Sequence, residues 1–270
     1  MLRIARSEWI KLRTTKSLWW TSALVIVFSL GFTLLMGLLT GSTLANTDPA
    51  KEPDIYSAMM NSLKNSSALS GFLFFGLMVI LIQGVLTVTS DYGSNTSKTT
   101  LLATPKRWLV PVAKFLVYGL IAAVIALVSM AGSMMVYKWT LGTKIDDAAM
   151  LTNVGLGADS AWTMIGRGVL YAVLAVAVAI GVGYLVRHTA GGISLILLWV
   201  LVIEQTLVQL LPKVRDYLPP YMPFKNMENA TLMMDTPDAP WGQVGSIAYF
   251  AGIAAVIFIA GVVALQKRDA

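Results

Sequence analysis

The sequence predicts an all-α membrane protein with six transmembrane helices, and three observations carry that prediction. Leu18–Leu39, Leu69–Thr89, Phe115–Tyr137, Gly168–Val186, Gly191–Leu211 and Val244–Leu265 are continuous apolar runs. Each is close to the roughly 20 residues a helix needs to cross about 30 Å of hydrocarbon. Within the six runs the only charged residue is Glu204. Charged residues make up 13% of the chain, against the roughly one quarter usual in soluble domains. What remains between the runs is too short for a separate soluble domain, so residues 1–270 are read as one transmembrane domain.

The loops sort by charge. On one side lie Arg3, Arg6, Lys11, Arg13, Lys16, Lys98, Lys106, Arg107, Lys114, Arg187, Lys267 and Arg268, with only Glu8, Asp91 and Asp269 as acids. The other side carries eight lysines and arginines against ten acids. The excess of cations predicts that the first side, with both termini, is cytoplasmic, and an even number of spans agrees. The net charge of +6 is thus a topology signal rather than a nucleic-acid footprint. Cysteine is absent, which excludes disulfides, thiolate metal sites and a cysteine nucleophile. The first apolar run is too long for a signal-peptide core and lacks a small-residue cleavage pattern after it.

Residues 1–17, MLRIARSEWIKLRTTKS, precede the first span. Leu2, Ala5, Trp9 and Leu12 share one helical face, with Arg6 and Arg13 beside it, so the segment is expected to be an in-plane amphipathic helix. The outer loops are Gly41–Ala68, Lys138–Arg167 and Pro212–Gln243. The last contains six prolines, which break regular helix but leave room for short helical turns dipping toward the membrane. Sequons at Asn65-Ser66-Ser67 and Asn229-Ala230-Thr231 fall in these loops. The inner connections are Ser90–Arg107 and a tight turn at Arg187–Ala190.

The longer inner loop reads SDYGSNTSKTTLLATPKRW. A phosphate loop would need glycines where Tyr92 and Ser97 stand, and a strand before it, so nucleotide binding by this chain is excluded. A helix-compatible patch, Lys98–Ala103, ends before Thr104-Pro105 and suits docking on a cytoplasmic partner. Glu204 lies in the outer half of the fifth run, with Gln205 and Gln209 nearby. A carboxylate at that depth costs at least about 2–3 kcal/mol and must face a bundle interior or water. It marks either a substrate or proton path or a hydrogen bond gluing helices together, with Arg167 as a candidate partner. Gln83, in the second run, poses the same choice. His188, the only histidine, has no partner for a metal site or triad. Ser194 sits on the same helix edge, which argues against an intramembrane serine protease. Gly181, Gly183, Gly191 and Gly192 read as close-packing positions.

Two segments resemble a known family. Glu8-Trp9-Ile10-Lys11-Leu12-Arg13 followed by Trp19-Trp20 is similar to the E-W-x-K-L-R start of bacterial ABC-2-type permeases, common in actinobacteria and Firmicutes. Ser90-Asp91-Tyr92-Gly93-Ser94-Asn95-Thr96, continuing through Thr99-Thr100-Leu101-Leu102-Ala103-Thr104-Pro105-Lys106-Arg107 to Lys114, resembles the same family's first inner loop. Asn95 and Lys98 depart from its commoner choices.

The resemblance implies an ABC-2, type V exporter-like permease fold. Residues 1–17 would be its connecting helix, with Glu8, Trp9, Lys11 and Arg13. Residues 90–107 would be its coupling loop, in which Asp91, Tyr92, Thr96, Lys98, Thr99, Leu101, Leu102 and Pro105 meet an ATPase. Residues 212–243 would form an outer re-entrant region. It also implies two ATPase subunits holding ATP and Mg, no cofactor in this chain, and a second permease that is identical or related. Further expectations are a plasma-membrane location and export of a drug, peptide, lipid or polysaccharide. The apolar, aromatic spans favour a hydrophobic or amphipathic cargo. Two other functions compete: a proton-coupled secondary transporter using Glu204, and a non-transporting peptide-sensing or immunity protein using its outer loops.

Overall fold

The computed structural model describes residues 2–94, 106–145, 147–207, 210 and 217–268. Among these the chain is helical and contains no strand. Nine helices follow in order. They are α1 (Leu2–Thr14), α2 (Lys16–Asn46), α3 (Pro53–Asn61), α4 (Asn65–Gly93), α5 (Leu109–Gly142), α6 (Ala161–Val186), α7 (Thr189–Thr206), α8 (Pro223–Thr231) and α9 (Gln243–Arg268). Six of them, α2, α4, α5, α6, α7 and α9, are long and apolar enough to cross a membrane. The six expected spans are all present, and the chain is a multi-pass membrane protein.

The helices outrun the apolar runs. α2 continues to Asn46 and α5 to Gly142, both beyond the last apolar residue expected of them. Past the apolar edge, short polar side chains turn back on the helix. Asn46 donates to the Ser42 carbonyl at 2.8 Å and the Thr47 hydroxyl to that of Thr43 at 2.7 Å. These bonds keep the last turns satisfied without apolar burial. The outer loop 41–68 is therefore largely helical, with α3 opened by Pro53 at its first turn, where a missing N–H costs nothing.

Two spans depart from α geometry. Phe72–Gly76 within α4 and Leu198–Leu207 at the end of α7 are π-helical. π stretches are rare and often sit at functional positions.

The chain divides into two compact units. The first contains residues 1–22, 78–123 and 170–270; the second contains 23–77 and 124–169. In the first unit, glycines set how closely helices approach. A side-chain carbon on Gly181 would lie 2.5 Å from the Ile257 carbonyl oxygen, and one on Gly261 would lie 2.7 Å from that of Gly181. α6 and α9 therefore touch backbone to backbone. Gly183 admits Val88 of α4, and Gly192 admits Val85. Gly181, Gly183 and Gly192 are thus close-packing positions between helices, as expected from the sequence, whereas Gly191 meets Val186 and His188 of its own turn.

In the second unit, Phe75 of the π stretch packs against Phe28 and Phe32 with ring centroids 5.9 and 5.4 Å away. The Thr33 hydroxyl donates to the Ala68 carbonyl at 2.9 Å. Asn65 exchanges a pair of hydrogen bonds with Gly155, donating to its carbonyl at 3.0 Å and accepting from its N–H at 2.8 Å. Gly155 has φ +96°, a conformation glycine tolerates and other residues rarely adopt. Asn65 is buried. The first sequon is thus a structural asparagine, not an exposed acceptor.

Candidate functional site

Two polar clusters lie in the first unit, and the residues singled out from the sequence fall into both. The inner cluster starts from α1. Glu8 and Leu12, one turn apart, are buried, whereas Trp9 is 46% exposed. Of the apolar face expected of an in-plane helix, Leu12 is thus buried against the protein and Trp9 is left exposed, while Glu8 takes the centre of the contact. The reason is Lys114, near the start of α5. Its Nζ sits 2.8 Å from Glu8 Oε2 and 2.7 Å from Asp91 Oδ2, and donates to the Thr87 carbonyl at 2.9 Å. Lys11 stands 3.1 Å from Glu8 Oε1 and 3.7 Å from Asp91 Oδ2.

Two ammonium groups and two carboxylates therefore neutralise one another, and Lys114 directs all three of its donors into the cluster. Glu8 and Lys114 are 1% and 2% exposed. Burial at that level is tolerated because each charge is paired and hydrogen-bonded. The arrangement fastens α1 and the inner ends of α4 and α5 at one point. Lys114 is the residue sequence reasoning undervalued. A lysine five residues into a span, with two acids in the neighbouring inner segments, is the signal that could have found it.

Close by, Gln83 accepts from the hydroxyls of Ser17 at 2.9 Å and Thr21 at 3.3 Å. It joins α4 to the base of α2. Between these bonds and the ion cluster lies a groove of about 450 Å³, lined by Glu8, Lys11, Gln83, Thr87, Ser90 and Asp91 among others. One turn further along α4, Tyr92 packs edge-on to Tyr184 at 6.4 Å and lies under the Arg187 guanidinium at 5.1 Å. Arg187 has φ 58° in the α6–α7 turn and donates to the Ala264 carbonyl of α9 at 3.2 Å. Thr189 donates to Thr89 at 2.9 Å. His188 caps α7, accepting from the Gly191 N–H at 3.3 Å. The lone histidine thus has a local structural task. Arg13, on α1, offers its carbonyl to the Trp19 indole at 3.0 Å. Thr96, Lys98, Thr99, Leu101, Leu102, Pro105 and Gln209 lie outside the described residues.

The outer cluster is built on Glu204, 3% exposed in the π stretch of α7. Its Oε1 accepts from the Trp199 indole at 2.6 Å and the Phe224 N–H at 3.4 Å; its Oε2 accepts from the Lys225 N–H at 2.9 Å. Phe224 and Lys225 stand in the first turn of α8, whose own N-cap residue, Met222, makes no side-chain cap. The first amides of a helix lack intrahelical acceptors and carry partial positive charge. Glu204 supplies the acceptors from another helix. Backbone amides and an indole hold this carboxylate.

α8 is fixed at its other side by Asn226. Its Nδ2 donates to the Pro220 and Met222 carbonyls at 2.8 and 2.9 Å, and its Oδ1 accepts from Trp241 at 3.2 Å and Ser246 at 2.9 Å. All four valences of a fully buried amide are filled. Tyr171 donates to the Phe224 carbonyl at 3.1 Å and, with Phe224 and Phe250, forms an aromatic cluster at 5.1–6.4 Å. Asn226 carried no signal in the sequence, because it lies in a proline-rich stretch where polar residues are ordinary.

Beside this cluster is an apolar cleft of about 490 Å³ between α6, α7 and α9, closed at one end by the start of α8. Val178, Leu195, Trp199, Phe224, Tyr249 and Ile257 are among its walls.

Six apolar spans, a helix ahead of the first span fastened to one end of the second, and a short capped helix between the fifth and sixth define a polytopic membrane protein. The chain belongs to the ABC-2 family of transporter proteins, whose family model matches residues 2–270. No curated protein matches the chain. The family identifies it as a permease subunit of an ABC transporter, which works in a membrane with an ATPase partner.

Proposed function

We propose that this chain is the permease of an ATP-driven exporter that moves a hydrophobic or amphipathic molecule, a drug, peptide or lipid, out of the cell. The energy comes from a separate ATPase subunit holding ATP and Mg, present in two copies beside a pair of permeases. This chain contributes no cofactor and no catalytic residue. The observation that carries the reading is the Glu8–Lys114–Asp91 cluster. It fastens α1 to the α4 end from which the Ser90–Arg107 loop departs, so a displacement of that loop would reach α1, α4 and α5 together. Asp91 and Tyr92 sit at that loop's root, and Thr96, Lys98, Thr99, Leu101, Leu102 and Pro105 are assigned to the ATPase contact itself. Trp9, exposed on α1, is assigned to the membrane interface, where an indole prefers to sit.

The arrangement of Glu204 supports a structural post rather than a proton carrier, since its oxygens already serve an indole and two amides. Gln83 reads the same way.

The test is purification of the chain with its ATPase. Vanadate-sensitive ATP hydrolysis that collapses in Thr99→Asp or Leu101→Asp, with the permease still folded, is expected. Loss of transport on dissipating the proton gradient, with ATP present, would instead favour a secondary transporter.

A further inference from the structure

We propose that the apolar cleft between α6, α7 and α9 holds one acyl chain of a bilayer phospholipid. This goes beyond the transport reading and does not depend on it. It requires only that these spans lie in a membrane.

Four observations identify the occupant. The first is the lining, which is aliphatic and aromatic, while its polar side chains face elsewhere. The Trp199 indole donates to Glu204, and the Tyr249 hydroxyl donates to the Tyr221 carbonyl at 2.9 Å. Such a surface offers a ligand contact area without hydrogen bonds, and ordered water would find too few partners there. Left empty, its walls would lose dispersion contacts.

Shape is the second observation. Along α9 the lining runs from Tyr249 to Ile257, which at 1.5 Å per residue is about 12 Å parallel to the helix axis. A slot of this kind suits a chain lying lengthwise. Access is the third. Leu195 and Trp199 at the rim are partly exposed, and α7 and α9 are the two spans with the smallest buried share, 22% and 17%. The slot therefore opens sideways onto hydrocarbon.

The fourth is the outer end, where Trp241 packs on Tyr221 and Tyr249 at 6.0 and 4.8 Å. Aromatic side chains with polar tips belong at headgroup depth, so a tail in the slot would place its headgroup beside them. At about 490 Å³ the cavity falls in the range of small-ligand sites, roughly 300–1,000 Å³. A helix from a second copy, about 10 Å across, would lie over the opening rather than fill it.

The experiment uses the full chain in nanodiscs of phosphatidylcholine carrying a diazirine on one acyl chain. After illumination, adducts are mapped by peptide mass spectrometry. Labelling at Leu195, Ile196, Ile253 and Ile257 is expected to exceed that at the open α5 positions Leu116 and Leu120 by about three-fold or more, because a pocket surrounds its ligand and a flat face touches one side. Leu195→Trp, at the rim, is expected to bring cleft labelling down to the level of the open face while Leu116 and Leu120 label as before. That unchanged control labelling shows the variant is folded. Equal labelling of cleft and open face, or cleft labelling indifferent to Leu195→Trp, overturns the proposal. So does efficient disulfide formation between two Leu195→Cys copies with the cleft unlabelled, which would assign the opening to a second permease.

Discussion

The two buried clusters solve the same problem in different ways. At the inner end of the first unit, Glu8 and Asp91 are neutralised by Lys114 and Lys11, side chain to side chain. In the outer half of the fifth span, Glu204 is neutralised by the start of a helix, through the Phe224 and Lys225 amides. The inner solution joins separate helices at a single charged point. The outer one fixes the angle of a short helix, because amide donors are directional. A charge–charge knot tolerates sliding of its members within Coulomb reach, whereas a capped helix keeps its place only while the donor geometry holds.

The largest effect that would break this comparison is loss of Lys114. Lys114→Met leaves the buried Glu8 and the half-buried Asp91 facing the single ammonium of Lys11, and is expected to cost about 3–5 kcal/mol. The outcome is read from thermal unfolding in detergent, with Glu8→Gln added to Lys114→Met recovering part of the loss. Full stability of the single variant would mean the cluster is hydrated rather than buried.

Asn226→Leu comes next. It removes four hydrogen bonds and leaves the Trp241 and Ser246 donors without their acceptor, for about 1–3 kcal/mol. Hydrogen exchange across 223–231 should rise more than exchange in α4.

Glu204→Ala is expected to cost a similar or smaller amount, about 1–2 kcal/mol, the value of a helix cap. Faster exchange at the Phe224 and Lys225 amides, with the inner cluster unaffected, would sharpen the contrast; slower transport without faster exchange would give Glu204 a role beyond capping.

The smallest effect belongs to Gln83→Leu. The Ser17 hydroxyl loses its acceptor, while Thr21 keeps the Ser17 carbonyl at 2.9 Å. A change of about 1 kcal/mol or less is expected in the same melts.

The spans were legible because apolar length is a one-dimensional property that a chain displays directly. So was the list of unusual residues, since a carboxylate or glutamine at membrane depth is visible without coordinates. What those residues do was not, because each partner is distant in sequence. Glu8 meets Lys114 across 106 positions, and Asn65 meets Gly155 across 90. The amide partners of Glu204 were not legible either, because backbone N–H groups carry no letter in the sequence. Helical periodicity groups Trp9 with Leu12 on the apolar face of α1, but it does not show that Glu8 beside them is buried, because the lysine that pairs with Glu8 lies far along the chain. The helical turns past each apolar edge escaped notice for a related reason: polar caps and proline starts extend a helix where hydropathy has already ended.

The join between α1 and α2 is a single residue, Thr15. The Thr14 and Thr15 hydroxyls turn back on the Ile10 and Lys11 carbonyls within α1, and the Trp19 indole reaches across the join to the Arg13 carbonyl. The threonines finish the first helix and one indole latches the second to it, so the direction in which the chain leaves α1 is keyed by a single side chain.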